Sequence, residues 1–555
     1  MGLFRSSIVV VLGLLAAVHC NVVLDKTRSD ESACSASQID VLTEFFHRVN
    51  GTGWKNNRGW LTGDPCGGGG WHGVRCNANG EVIALNLPMN ELAGDIPPAL
   101  SQLPQLQHID FALNKLTSSL PSALMRGSGL QFVDISYNEL TMNFTEWDCP
   151  SLHHLDAGWN DLVWGDLDDL VAAAPQLKVV KLDRLELTGS SLEGIMAASK
   201  LVELSLKSCG LDSVLALPGK HAHSSLERLD LSHNYMHGLL PSDLLCTLPS
   251  LRELILAGNR LTGRVPLFTE CLQRSVISTI DIADNLLTGV QPPSTLLADR
   301  QRHGATSNLQ VLVLSGNEVG SDPAGVRTLL GQHHSLRTFE CIACSLGGRL
   351  RDILPRTERR EVVTGREEIS LGASLEVIRL DHNFVEGTVG RDLCAHAHLR
   401  IVSLHDNALG GHLPACLVQA PQIEAIDMSD NLLEGIASFD RTSESLSVLR
   451  LEQNRIAGEA PLGPLRTVPR VSLADNWFDS CDAYGDGTEI ACSDATRCFS
   501  SNGGMAFVDL CGNSLMYACT GEDSHGPQSA RAAGPLSAFP HRDASRKYFR
   551  VCGTR

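Results

Sequence analysis

Aromatic residues are scarce in this chain, at 5% of 555 positions, so any large core must be aliphatic. Positive charge is scarce too. Lys and Arg number 45 against 63 Asp and Glu, a formal net charge of −18. A nucleic-acid or anionic-membrane surface carries a basic footprint, and this balance argues against both. After the first twenty residues no apolar run reaches the ~18–20 residues of a membrane span. H-E-x-x-H, G-x-S-x-G and G-x-x-x-x-G-K-[ST] are all absent. Those strings would announce a zinc hydrolase, a serine hydrolase or a phosphate loop. Not an enzyme is therefore the expectation, with no catalytic residue, cofactor or metal assigned.

The chain opens MGLFRSSIVVVLGLLAAVHC, with Arg5 ahead of an apolar run from Ile8 to Val18. That run is too short to cross a bilayer and has the layout of a secretory signal peptide, with cleavage expected near Cys20–Asn21. The C-terminal SAFPHRDASRKYFRVCGTR is polar, so neither a stop-transfer helix nor a GPI signal is expected. The mature chain is expected to be secreted. Eighteen cysteines, seventeen after cleavage, fit an oxidising route. Sequons place candidate glycans on Asn50 and Asn143.

What is abundant is leucine, and it is periodic. Residues 226–241 read LERLDLSHNYMHGLLP and residues 399–414 read LRIVSLHDNALGGHLP. Both fit L-x-x-L-x-L-x-x-N-x-L-x-G-x-x-P. Sixteen copies run in phase, placing the Asn, or ladder, position at 90, 114, 138, 160, 185, 209, 234, 259, 285, 317, 344, 383, 407, 431, 454 and 476. In L-x-L the two apolar side chains point inward from a short strand and their neighbours point out. One such unit cannot bury its leucines alone, whereas stacked units share a core and a parallel sheet. The ladder amide can pair with backbone groups of the turn that leaves the strand.

The endings LAGDIP at 92–97, LTGRVP at 261–266 and LGGHLP at 409–414 resemble the plant-type extracellular leucine-rich repeat. The segment WKNNRGWLTGDPCGGGGWHGVRC, residues 54–76, resembles the N-terminal cap of that family. The resemblance covers roughly residues 38–478 and departs from the family's pattern at Leu185, where Asn is usual. It implies a curved or twisted solenoid that binds ligands, often as a receptor ectodomain. The fold expected is thus an α/β leucine-rich repeat solenoid of about sixteen repeats, with a parallel concave sheet and disulfide-stapled caps. The expected boundaries are signal peptide 1–20, N-terminal cap 21–80, solenoid 81–478, and a Cys-rich cap and tail 479–555. An amphipathic helix over 38–50 heads the first cap, and Cys66 and Cys76 can staple the hairpin after it. Cys481, Cys492, Cys498, Cys511, Cys519 and Cys552 would staple the far end, with connectivity open.

HHSLRTFECIAC at 333–344 contains C-x-x-C, which alone would suggest zinc or a redox dithiol. In repeat phase Cys341 is an inward position and Cys344 a ladder position, as is Cys209. All three are expected as buried, structural thiols. His333 and His334 are expected in solvent, as are the histidines of HAH at 221–223 and 396–398. Removing the three thiols leaves fourteen cysteines, an even number. Cys246 and Cys271 each lie twelve residues after their ladder Asn, which predicts a Cys246–Cys271 bridge between adjacent repeats. Cys394 and Cys416 are a poorer match of the same kind. DAYGDG at 482–487 hints at a calcium loop, but its twelfth residue is Ser493 where Glu is needed, so a polar turn is expected. Insertions at 290–308 and 349–374 are read as solvated excursions.

The outward concave positions are mostly small or acidic. Asp110, Asp134, Asp156, Asp230, Asp281 and Asp427 are ordinary repeat grammar and are not read as a site. Repeats two to four depart from this, placing His108, Phe132, Tyr137, His154 and Trp159 on one surface. Large aromatics on a surface are enriched at interaction hot spots. These five are the leading ligand-binding candidates. Arg379, His382, His405 and Arg450 form a second, basic group that could receive an acidic ligand. The function expected is recognition of an extracellular protein, peptide or glycan, with a membrane co-receptor as a further candidate partner. The alternatives are an inhibitor of a foreign hydrolase and a structural wall or matrix component.

Overall fold

The computed structural model describes residues 34–127, 129–215, 225–266, 275–291, 308–333, 335–354, 374–390, 393–465, 467–481, 490–494, 497–500, 507–509 and 513. Most repeats contribute a three-residue strand whose middle side chain is buried and whose flanking side chains are not, as in His108–Asp110 around Ile109. The strands stack in register, His108 beside Phe132 beside His154, and Asp110 beside Asp134 beside Asp156. The result is an 18-stranded sheet, parallel throughout except for Val74–Cys76, which pairs antiparallel with Val82–Asn86. Behind it lies one continuous aliphatic core from Leu85 to Phe478.

The ladder Asn stitches neighbouring repeats. Buried Asn138 donates its amide to the carbonyls of Phe111 and Ile135, both at 3.0 Å, and accepts the Leu116 N–H at 2.9 Å. One side chain thereby satisfies backbone groups that no strand partner reaches. At the departures from Asn the stitching is rerouted. Leu185 is fully buried and apolar, and the Leu187 N–H goes to the Cys209 carbonyl instead. Cys209 keeps only a thiol donor, directed at the Leu182 carbonyl at 3.1 Å.

After the ladder position the L-x-G-x-x-P segment forms a second layer of short parallel strands. Ala93–Asp95, Lys115–Ser119, Glu139–Asn143 and Leu162–Trp164 make its first sheet. Separate sheets begin at His237–Leu239 and Gly347–Arg349. The break falls where repeats five and six read LTGSSLEG and LDSVLALPGK, without a Pro in phase. The N-terminal cap uses the scarce aromatics. Helix Ala36–Arg48 sets Phe45 and Phe46 against Trp54 and Trp60, and Trp60 against Trp71, with ring centroids 4.8–6.1 Å apart. Each indole N–H reaches a carbonyl: Trp54 to Val49, Trp60 to His72 and Trp71 to Thr62. Cys66 and Cys76 are bridged, with Cα atoms 5.6 Å apart.

Several expectations are corrected. Cys341 and Cys344 are not thiols but a disulfide, with Cα atoms 5.5 Å apart and both side chains fully buried. The second inward position and the ladder position face one another across the turn, as the Asn114 amide shows by reaching the Phe111 carbonyl. Two cysteines at those positions fall within bonding reach. The cysteine arithmetic fails with them, since Cys34 is a thiol. His333 and His396 are buried, not solvated. Each lies three residues before the Leu that opens a repeat, in a tight turn where other repeats put Leu103, Ala174 or Leu248. The sheet also runs past the expected boundary at 478. Phe507–Asp509 pairs parallel with Arg470–Ser472, and Asn513 donates to the Leu473 carbonyl as a ladder residue does. Cys394 and Cys416 are bridged. Cys246 is disulfide-bonded, while Cys271 lies outside the described residues. So do the signal segment, the HAH at 221–223, His334, DAYGDG and most of both insertions.

Candidate functional site

Four rows of side chains cross the concave sheet over repeats one to five. The first is the row of leading strand residues. His108, Phe132 and His154 stack nearly parallel, with ring centroids 4.2 and 4.1 Å apart. All three are half-buried. Burial, with Arg75 nearby, pushes the His108 imidazole below its ordinary value, and burial with Lys181 nearby pushes His154 down to about 4. Both rings are neutral at pH 7 and act as flat aromatic faces.

The second row is acidic: Asp110, Asp134, Asp156. Each accepts the backbone N–H two residues on, from Ala112, Ser136 and Gly158. Burial, and the neighbouring charge of Asp134, push Asp156 up to about 7. Asp110 is pushed up to about 6, again by burial first. The third row, Ala112, Ser136 and Gly158, is small.

The fourth row is the residue immediately before each ladder position. Its backbone is left-handed in every repeat described, because the chain turns there into the ladder residue. The position is occupied by Gly at 258 and 316, by Asp at 284, 406, 430 and 475, and by Arg184, Ser208, His233, Ala343, His382 and Gln453 in the remaining later repeats. Repeats one to four instead hold Met89, Leu113, Tyr137 and Trp159, exposed by 59, 47, 44 and 39%. Tyr137 and Trp159 stack at 4.9 Å, and the Arg184 guanidinium lies over Trp159 at 4.0 Å. The five aromatic candidates thus fall into two stacks flanking an acidic row. Met89 and Leu113 were missed from the sequence. The signal was available, since both occupy the same x-N position as Tyr137 and Trp159.

The basic group is different. Arg379 pairs with Glu340 at 3.0 Å, Arg450 with Asp427 at 3.4 Å and His382 with Asp406 at 2.8 Å. His405 meets the Ser429 hydroxyl at 2.8 Å and Asp430 at 3.6 Å. Strand register sets Arg379 opposite Glu340 and Arg450 opposite Asp427, and the turns after the strands bring the two histidines to groups of the next repeat, so the group is a set of intramolecular pairs and not a free cationic patch. Asn50 is exposed. Asn143 is half-buried, accepts the Thr145 hydroxyl at 2.7 Å and belongs to the second layer, away from the concave rows. The cysteine and carboxylate group Cys34, Asp64 and Cys66 could crowd a metal, but Cys66 is committed to its disulfide.

A Leucine Rich Repeat family model matches residues 225–246. A stretch of 324 residues is 26% identical to podocan-like protein 1 of Mus musculus, over 54% of this chain and 53% of that protein. Another, of 240 residues, is 25% identical to receptor-like protein 32 of Arabidopsis thaliana, over 42% of this chain and 21% of that protein. The chain therefore spans about half, or less, of the length of these curated relatives. Among solved structures, PEPR1–AtPEP1 superposes with a TM-score of 0.52 at 22% identity, over 80% of this chain and 55% of that one. The plant peptide hormone receptor RGFR1 in complex with RGF2 gives 0.53 at 19% identity, over 74% and 64%. The chain folds as a leucine-rich repeat solenoid, similar to these proteins. No helix among the described residues is long and apolar enough to cross a membrane.

Proposed function

We propose that this is a secreted recognition protein that binds an extracellular ligand across the concave face of repeats one to five. The observation that carries the reading is the row Met89, Leu113, Tyr137 and Trp159. A left-handed backbone costs a side-chain-bearing residue about 1–2 kcal/mol. Elsewhere the chain eases that cost with Gly or Asp in six repeats and places Arg184, Ser208, His233, Ala343, His382 or Gln453 in the others, none of them a large apolar side chain. Here it accepts the cost and also leaves large apolar side chains in water, which is unfavourable unless a partner covers them. Tyr and Trp bring large contact area at small entropic loss and are the residues enriched at hot spots. Two solved structures of this fold are PEPR1–AtPEP1 and the plant peptide hormone receptor RGFR1 in complex with RGF2. They support ligand capture as a use of the architecture.

The test is crosslinking capture from the extracellular fraction with the mature chain, followed by titration of the recovered ligand. Tyr137→Ala/Trp159→Ala should weaken that ligand by ~2 kcal/mol or more, with the circular-dichroism spectrum and Tm retained. Wild-type affinity in the folded double variant rejects this surface.

A further inference from the structure

The second row of the sheet is not electrically uniform, and its contrast points to what the surface takes. Farther along, three of its acids are neutralised within the chain: Asp230 by Arg228, Glu340 by Arg379 and Asp427 by Arg450. Among the described residues Asp110, Asp134 and Asp156 meet no Lys or Arg in an ion pair. Lys181, next in that row after Asp156, is turned to Glu203 at 3.2 Å. Asp281 also lacks such a pair but stands alone between Ile255 and Val313, whereas Asp110, Asp134 and Asp156 are consecutive and lie between the two aromatic stacks. Burial and mutual repulsion already raise Asp110 and Asp156 above ordinary carboxylates. A cation from outside the chain would relieve that repulsion.

Resting on the ligand-binding reading above, we infer that the occupant is an extended cationic peptide segment, its Lys or Arg side chains on the Asp110–Asp134–Asp156 row and its apolar side chains on the Met89–Leu113–Tyr137–Trp159 row. The geometry fits. An extended chain sends successive side chains to opposite sides. Laid across the strands over the small floor of Ala112, Ser136 and Gly158, it presents basic residues to one row and apolar residues to the other. Neighbouring strands are ~4.8 Å apart, so four rungs span ~14 Å, about four to five residues of extended peptide. A neutral glycan would stack on Tyr137 and Trp159 but leave the three carboxylates uncompensated. An acidic peptide would add to their repulsion.

The test is selection of a random dodecamer display library on the full mature chain, with counter-selection on the Tyr137→Ala/Trp159→Ala variant. Enriched peptides are then synthesised and titrated. The expected winners carry net positive charge with Lys or Arg alternating with apolar residues. Their affinity should fall roughly tenfold in Asp134→Asn/Asp156→Asn, and should fall with added salt in the wild type more steeply than in that variant. Neutral or acidic winners that still require Tyr137 and Trp159 overturn the cationic assignment and leave the binding surface standing. Winners indifferent to both double variants overturn the assignment and the surface together. Failure to enrich any peptide, alongside glycan-array binding that is lost in Tyr137→Ala/Trp159→Ala, also overturns the peptide assignment. Both double variants are checked for an unchanged spectrum, and Asn keeps an oxygen for the N–H that each Asp accepts.

Discussion

Asn234→Ala offers a quantitative test of the ladder. Asn234 is 3% exposed. Its side-chain oxygen accepts the N–H of Cys209 at 2.9 Å and of Leu211 at 3.1 Å, and its amide donates to the carbonyls of Leu206 at 2.8 Å and Leu231 at 2.9 Å. Alanine removes one partner from each of these four backbone groups. A buried donor left unsatisfied costs ~1–3 kcal/mol, and a carbonyl, with its second lone pair, costs less. The two N–H groups alone therefore set the loss at ~4 kcal/mol. Each repeat touches only its neighbours, so the loss is felt at the junction of the sixth and seventh repeats and not at the ends. A chain of this size with several disulfides is a poor two-state system, so a global melting curve would blur the effect. Hydrogen exchange read by mass spectrometry resolves it. A loss of ~4 kcal/mol corresponds to nearly a thousandfold faster exchange, since 1.4 kcal/mol is tenfold. The acceleration should appear in peptides covering 203–236 and be absent from 425–476. Less than about fivefold acceleration around Cys209 and Leu211, equivalent to ~1 kcal/mol, would refute the reasoning that one amide holds these backbone groups.

Two further outcomes are expected. The Asp156 carboxyl, near 7 when folded, sits above its unfolded value of ~3.9. The folded chain binds this proton more tightly, so this residue's contribution to stability falls as pH rises between those values. Asp156→Asn should accordingly raise Tm at pH 8 and make little difference near pH 4; an equal shift at both pH values would deny the coupling. Burial pushes the Cys209 thiol up to about 12, so iodoacetamide at pH 8 should leave it unmodified until the chain is denatured. In the same experiment, peptide mapping without reduction should find Cys341 joined to Cys344 and Cys394 joined to Cys416. A native-state adduct on Cys209, or free thiols at either pair, contradicts the cysteine assignment.

The repeat frame was legible because it is enforced residue by residue. An inward leucine that moved by one place would face water, so phase cannot drift. Seams between frame and chemistry were less legible. Cys341 was correctly placed inward and Cys344 on the ladder, yet frame position does not state distance. That the two positions face each other emerges only from the turn's backbone, seen in the Asn114 amide on the Phe111 carbonyl. His333 and His396 failed for a related reason. Their residue type suggests solvent, but the turn before each opening Leu is an interior position whatever fills it. The pairing of the basic group was not legible because charge was counted along the sequence, while its partners Glu340, Asp406, Asp427 and Asp430 arrive from neighbouring repeats.

The same frame explains why the aromatic surface could be found at all. A solenoid repeats one backbone many times, so each position carries its own internal control. The left-handed residue before the ladder is the sharpest case. Its conformation is fixed by the turn; six repeats ease the strain with Gly258, Gly316, Asp284, Asp406, Asp430 and Asp475, and six others place Arg184, Ser208, His233, Ala343, His382 and Gln453 there. Met89, Leu113, Tyr137 and Trp159 adopt the same angle without that relief and without burial. Large apolar side chains left exposed at this left-handed position in four consecutive repeats, beside three consecutive acids that no arginine neutralises, mark where a functional constraint is expected to override folding preference.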